Sequence, residues 1–296
     1  MRRYTAAAAA ILMLLAAAPA LSNSYNTPTI DGHVIVETGD WNSDELAWRD
    51  PNNDNRWGPS DGDLVDLYVT WDADSLYVGV KTTNGPSGYG NGYLVYIDTD
   101  AQVEDATGEL TGATEMTAAD FFQRQIEFST IGAEVMMGLW NFEPGNHSVH
   151  DCSDPTSTVI IDESYIQINP GYKHIEFGID WNGIFGLGRA AVPQGTKIRI
   201  ICAVVGGDGS GAYDALPTSS TGAESDGATP WDAVTVLDQY VELPIDANSD
   251  GVPDVGYPPN GKISGTVTLD DATTVATVTA YQGGVAVWSG STPAGG

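Results

Sequence analysis

The chain has 296 residues, 40 acidic and 11 basic, for a net charge of −29. A surface of that sign repels phosphate backbones and anionic lipid headgroups, so it excludes nucleic acid and membrane surfaces as natural partners and favours cation binding. Thirty-five glycines, with abundant threonine and valine, read as an all-β chain with long loops.

Residues 1–22 read as an export signal. Arg2 and Arg3 give a positive start, and residues 6–17 form an apolar stretch too short to span a bilayer. Ala18-Pro19-Ala20 and Ala20-Leu21-Ser22 are small-residue cleavage sites. No later segment reaches the roughly 18 apolar residues of a spanning helix. The expected mature protein is secreted, or held at the cell surface by parts outside this chain. Residues 24–63 are loop-rich, with the turn cluster DPNNDN at 50–55. Trp41, Trp48 and Trp57 alternate with carboxylates there. They either rim a ligand site or cap the ends of the fold.

The organising stretch is 64–98. Val65, Leu67, Val69 and Trp71 alternate with Asp66, Tyr68 and Thr70, which predicts a half-buried strand. Asp72-Ala73-Asp74-Ser75 is a turn, and Leu76, Val78 and Val80 begin a second strand with the opposite face polar. A Gly/Pro/Ser/Asn loop at 84–92 leads to a third strand at 93–98. Antiparallel hairpins with one wet face are expected.

The runs Leu67-Tyr68-Val69-Thr70-Trp71-Asp72, Ser75-Leu76-Tyr77-Val78-Gly79-Val80 and Tyr96-Ile97-Asp98-Thr99-Asp100, with Thr29-Ile30-Asp31-Gly32 and Asp40-Trp41 upstream, resemble the sugar-binding sandwich family. That family includes family-nine carbohydrate-binding modules, DOMON-like domains and the C-terminal module of glucodextranase. The resemblance covers roughly residues 29–243. It implies an antiparallel β-sandwich of jelly-roll or immunoglobulin-like type, spanning 25–245, that binds carbohydrate rather than catalysing.

Further strands are expected at 121–128, 133–142, 172–181, 198–205 and 234–243, with a long loop at 206–229. In 133–142 one face carries Val135, Met137 and Leu139, and the other Met136, Trp140 and Phe142. The second face is either an aromatic platform or the inner side of a second layer. As a platform, Trp140 leads the sugar-stacking candidates, joined by Trp57 and by Tyr89 in the 84–92 loop. Cys152, in a polar loop, and Cys202, in a strand, are the only cysteines. They either form a disulfide in an oxidising compartment or remain separate thiols.

Asp246-Ala247-Asn248-Ser249-Asp250-Gly251-Val252-Pro253-Asp254 spaces oxygen donors as calcium loops do, with Asp246, Asn248, Asp250, the Val252 carbonyl and Asp254 as ligands. It resembles the loops of dockerins and thrombospondin type-three repeats. It departs from an EF-hand, since Tyr257 stands where a bidentate Glu would be. The other reading is an acidic linker, at 246–260. Residues 261–296 resume β alternation and resemble the start of carboxypeptidase regulatory-like domains, implying a small, incomplete second β domain and further domains of a longer chain.

No H-E-x-x-H, G-x-S-x-G or P-loop is present in the sequence. His147 and His150 read as a solvated pair in a loop. The expected function is a secreted, non-catalytic carbohydrate-binding module stabilised by Ca2+. The alternative is a structural surface or adhesion protein rigidified by calcium. Haem ligation through Met116, Met136 or Met137, as in some DOMON relatives, and an accessory part of a glycoside hydrolase are lesser alternatives.

Overall fold

The alternating run at 64–98 folds as three strands, two in one sheet and the third in the sheet stacked on it. The structure, a computed structural model, describes residues 27–36, 40–50, 54–56, 62–82, 90–100, 124–141, 143, 145–154, 157–162, 164–207, 209–224, 229–254, 277–282 and 285–291. The chain begins with β1 (Leu46–Arg49), β2 (Leu64–Trp71), β3 (Ser75–Thr82) and β4 (Gly92–Asp98). Next come β5 (Ile126–Phe128), β6 (Val135–Trp140), β7 (His147–Asp154), β8 (Ser157–Ile160) and β9 (Ser164–Asn169). β10 (His174–Asp180) runs into a short helix, α1 (Trp181–Phe185). β11 (Lys197–Val205), β12 (Ala212–Leu216), β13 (Thr235–Leu237) and β14 (Val241–Pro244) follow. A hairpin of β15 (Thr277–Gln282) and β16 (Val285–Ser291) lies in the C-terminal region.

The fold is an all-β antiparallel sandwich. One sheet has the order β1-β2-β3-β10-β9, and the other β12-β11-β4-β6-β7-β8, with β14 also paired to β11. Between them lies the main core. β2 supplies Leu67, Val69 and Trp71, β3 Leu76, Val78 and Val80, and β10 Ile175, Phe177 and Ile179. The facing sheet supplies Val95 and Ile97, Val135 and Met137, and Ile200, Cys202 and Val204. The period-two side-chain direction of a strand sets this inward row.

The opposite faces are not wet, which corrects the expectation for 64–98. Residues 27–36 and 40–41 lie across the outer face of β2 and β3, where Val34 and Trp41 pack on Tyr68 and Tyr77. A Cβ on Gly79 would meet Val34 Cγ2 at 2.9 Å and Trp41 Cζ2 at 3.0 Å, so only glycine lets the indole lie this close to the sheet. On the second sheet, Leu94, Tyr96, Met136 and Ile201 form an outer core with Ile126, Phe128 and Leu237 of the parallel pair β5–β13. Both sheets are therefore covered on both sides over their centres.

Two stretches read as loops are strands. Residues 147–154 pair with β6, from Val135↔Asp151 to Leu139↔His147. Residues 212–216, inside the expected 206–229 loop, pair with β11. Among the described residues no helix is long and apolar enough to cross a membrane.

Candidate functional site

Three groups of carboxylates bring oxygens within 4.8 Å of one another, close enough to share a metal ion: Asp31, Asp40 and Glu176; Asp98, Asp100 and Glu134; and Asp50, Asp54 and Asp214. Their chemistry differs.

In β10, alternation sends Ile175, Phe177 and Ile179 into the core and Glu176 to the outer face, where it is fully buried under residues 31–33 and Trp41. Its Oε2 accepts backbone N–H groups of Asp31 (3.0 Å), Gly32 (2.7 Å) and His33 (3.0 Å), and its Oε1 accepts Trp41 Nε1–H (2.6 Å). Burial pushes this carboxyl up from its ordinary range while the four donors pull it back. The group is saturated. It sews residues 31–33 and Trp41 to the sheet, and so accounts for the Asp31-Gly32 and Trp41 spacing of the opening motif.

Asp98 ends β4, and Glu134 precedes β6. Glu134 Oε2 accepts Thr99 N–H (2.7 Å), and Asp98 faces the Arg199 guanidinium at 3.7 Å. Burial, then the neighbouring Asp100, drives Asp98 up to about 7, against the pull of Arg199. Burial drives Glu134 up to about 8, against the Thr99 hydrogen bond. An arginine already supplies part of the countercharge here.

The third group sits where the edges of the two sheets meet. Asp50 follows β1, Asp54 lies in the next turn, and Asp214 is the middle residue of β12. Asp214 Oδ2 accepts Leu64 N–H at the start of β2 (2.6 Å), so β12 is tied to the other sheet through this carboxylate. Thr218 Oγ1 donates to Asp50 Oδ1 (2.8 Å), and Asp63 Oδ1 accepts Asp54 N–H (3.2 Å). Burial, reinforced by Asp54 and Asp63 and opposed by Thr218, drives Asp50 up to about 7. Burial holds Asp214 well above the ordinary carboxylate range. Asp214 was hidden in the sequence because AYDAL, five residues between Gly/Ser-rich runs, is a short strand signal inside a loop composition. The apolar run with one Asp at its centre was the available sign.

The 246–254 loop is a chain of side chain-to-backbone turns. Asp246 is buried and accepts Gly195 N–H (2.9 Å), Asp250 N–H (3.1 Å) and Gly251 N–H (2.8 Å). Asn248 Oδ1 accepts Asp250 N–H (2.8 Å), and Asp250 Oδ1 accepts Val252 N–H (2.9 Å). Asp254 is held by Ala247 N–H (2.6 Å) and by the Asn248 side-chain amide (2.8 Å). Asp246, Asn248 and Asp250 thus share one folded turn. Asp254 is engaged by Asn248, and the loop's three aspartates are not among the converging groups. The loop is bound to the sandwich: Val192 N–H donates to Gly251 O (3.1 Å), and Trp71 Nε1–H to Asp254 O (3.0 Å).

Trp140, the last residue of β6, is partly buried and packs on the outer core. The Arg124 guanidinium lies 5.8 Å from its ring centroid, and Asn141, Glu143 and Asn146 form the adjoining turn. Gly90 passes beneath it with φ +79°; a Cβ there would meet Trp140 Cζ2 at 2.7 Å and the Asn141 amide at 3.0 Å. Trp57, Tyr89, Phe142, Met116 and residues 1–22 lie outside the described residues. Met136 and Met137 are buried in the outer and main cores respectively.

The structure does not join Cys152 to Cys202; both cysteines are buried. Cys152 belongs to the outer core and Cys202 to the main core, on opposite sides of one sheet. Their strands are separated by β6 and β4, which places them at least about 14 Å apart at ordinary strand spacing. A disulfide needs α-carbons within about 4.4–6.8 Å. His147 and His150, three apart in a strand, point to opposite faces; His150 is buried against Ser148, 2.6 Å away.

No protein-family model matches this chain, and no curated protein matches it.

Proposed function

We propose that this chain is a secreted, non-catalytic β-sandwich that binds carbohydrate, with calcium held in the 246–254 loop. The observation that supports sugar binding is the setting of Trp140: an indole partly open, beside the Asn141–Glu143–Asn146 turn, with buried Arg124 backing the ring. A sugar ring offers apolar C–H faces to an aromatic plate and hydroxyls to amide and carboxylate groups. An aromatic surface with a few convergent polar groups is the usual composition of such a site. The strongly acidic chain favours cations, and Asp246, Asn248 and Asp250 present oxygens on a turn docked against the sandwich.

A second reading, a structural surface protein, draws on the bonds that fix the loop to the sandwich at Gly195, Val192 and Trp71. A glycan array and insoluble-polysaccharide pull-down on calcium-loaded protein separate the two. Sugar binding predicts retention on at least one polysaccharide. Retention on none, with calcium-dependent stiffening in single-molecule extension, supports the structural reading.

A further inference from the structure

We propose that Asp50, Asp54 and Asp214 form a buried calcium site that staples the β12 edge of one sheet to the β1–β2 edge of the other. Asp50 is only 4% exposed; its Oδ1 is used by Thr218, and its Oδ2 meets no hydrogen-bond donor. Asp54 Oδ1 is buried and, with both groups ionised, equally without a donor; a protonated Asp50 would donate to Asp54 instead, so the pair holds either a shared proton or a cation. These two carboxylates and Asp214 are the ones whose oxygens converge within 4.8 Å. Asn55, next in the chain, is also buried; its Nδ2 donates to Gly62 O (2.9 Å), and its Oδ1 meets no donor.

An unpaired buried carboxylate is costly, and several together cannot all ionise unless a positive charge joins them. Asp63 and Glu224 add to the local negative field. Among the described residues, Asp50, Asp54 and Asp214 make no ion pair with Lys, Arg or His. The nearby Arg56 guanidinium donates to the carbonyls of Pro230 (3.1 Å) and Ala223 (2.7 Å). A donor set of oxygens alone, without His or Cys, selects a hard cation over a transition metal. Oxygens supplied by separate segments suit the irregular, six-to-eight-oxygen shell of calcium better than the strict octahedron of magnesium. The site shares no residue with the 246–254 loop.

The test uses the full secreted chain stripped with EDTA, in an Asp250→Ala background that silences the loop. Isothermal titration with calcium is expected to show one site, and thermal unfolding a higher Tm with calcium than with EDTA. Adding Asp54→Asn is expected to weaken calcium binding at least tenfold and abolish the calcium-dependent gain in Tm. The same substitution should raise Tm in EDTA, because it relieves like-charge repulsion. Asp50→Asn provides a second reading should Asp54→Asn fail to fold. No calcium uptake by Asp250→Ala, uptake unchanged by the folded Asp54→Asn or Asp50→Asn variants, or tighter binding of magnesium than of calcium would overturn the assignment.

Discussion

Trp41 Nε1–H donates to Glu176 Oε1 at 2.6 Å, and both side chains are completely removed from water. The pair joins a residue of the N-terminal segment to the centre of a sheet 135 positions later. It fixes the indole above Gly79, and the same carboxylate gathers the Asp31, Gly32 and His33 amides.

Removing the clamp should therefore loosen residues 31–33 and Trp41 together. Trp41→Phe and Glu176→Gln are each expected to cost about 1–3 kcal/mol by leaving buried polar groups unsatisfied. In a double-mutant cycle followed by urea denaturation, the two should couple by about 0.5–3 kcal/mol. Strictly additive losses would mean that the hydrogen bond contributes nothing beyond packing.

The sequence displayed the inner faces of the sandwich clearly. Leu67-x-Val69-x-Trp71, Leu76-x-Val78-x-Val80 and Ile175-x-Phe177-x-Ile179 are uninterrupted period-two rows, and each lines the main core. The outer faces were not legible, because Tyr68, Tyr77 and Glu176 are amphipathic or charged and reveal their burial only through a distant covering segment. β7 was hidden by its polarity: His147, Ser148, Asp151 and Ser153 lie near a sheet edge, where little apolar surface is required. Of the candidate site, the Asp246–Asp250 turn was readable from local spacing. The Asp50–Asp54–Asp214 cluster was not, because it depends on a contact between strands far apart in sequence.

The cysteines should behave as buried thiols. Alkylation of native protein under non-reducing conditions is expected to leave both unmodified. Alkylation in denaturant should label both without prior reduction. Burial also pushes the Cys202 thiol up, which further slows its reaction in the native state. An intact mass two hydrogens low, resistant to alkylation in denaturant, would contradict the placement.

His174 carries a pH signature. Burial, then the charges of Lys81 and His33, lowers it from 6.5 to about 4, with Asp66 opposing. The unfolded chain therefore binds the proton before the folded one. This contribution to stability is complete above about pH 6.5 and is lost as pH falls toward 4. The difference in Tm between wild type and His174→Gln should move against wild type across that window. A pH-independent difference would show that His174 does not titrate as its surroundings dictate.

The loop and the interior cluster predict separable calcium sites. Titration of the EDTA-stripped wild type is expected to show two ions, and of Asp250→Ala one. Asp250 is exposed and its Oδ1 accepts only the nearby Val252 amide, so the substitution should barely change Tm in EDTA. Identical stoichiometry and affinity in the two proteins would leave 246–254 as a structural turn without a metal.

Polysaccharide retention of Trp140→Ala, set against its stability, decides whether Trp140 presents a sugar-binding surface. The indole is only partly buried on the outer core, so its loss should cost less than the about 3–5 kcal/mol of a fully buried ring. The account predicts at least tenfold weaker retention on the polysaccharide that wild type binds, with a folded variant and a modest fall in Tm. Undiminished retention by folded Trp140→Ala, or a calcium-loaded wild type that binds no polysaccharide while Trp140→Ala loses the full stability of a core tryptophan, would contradict it.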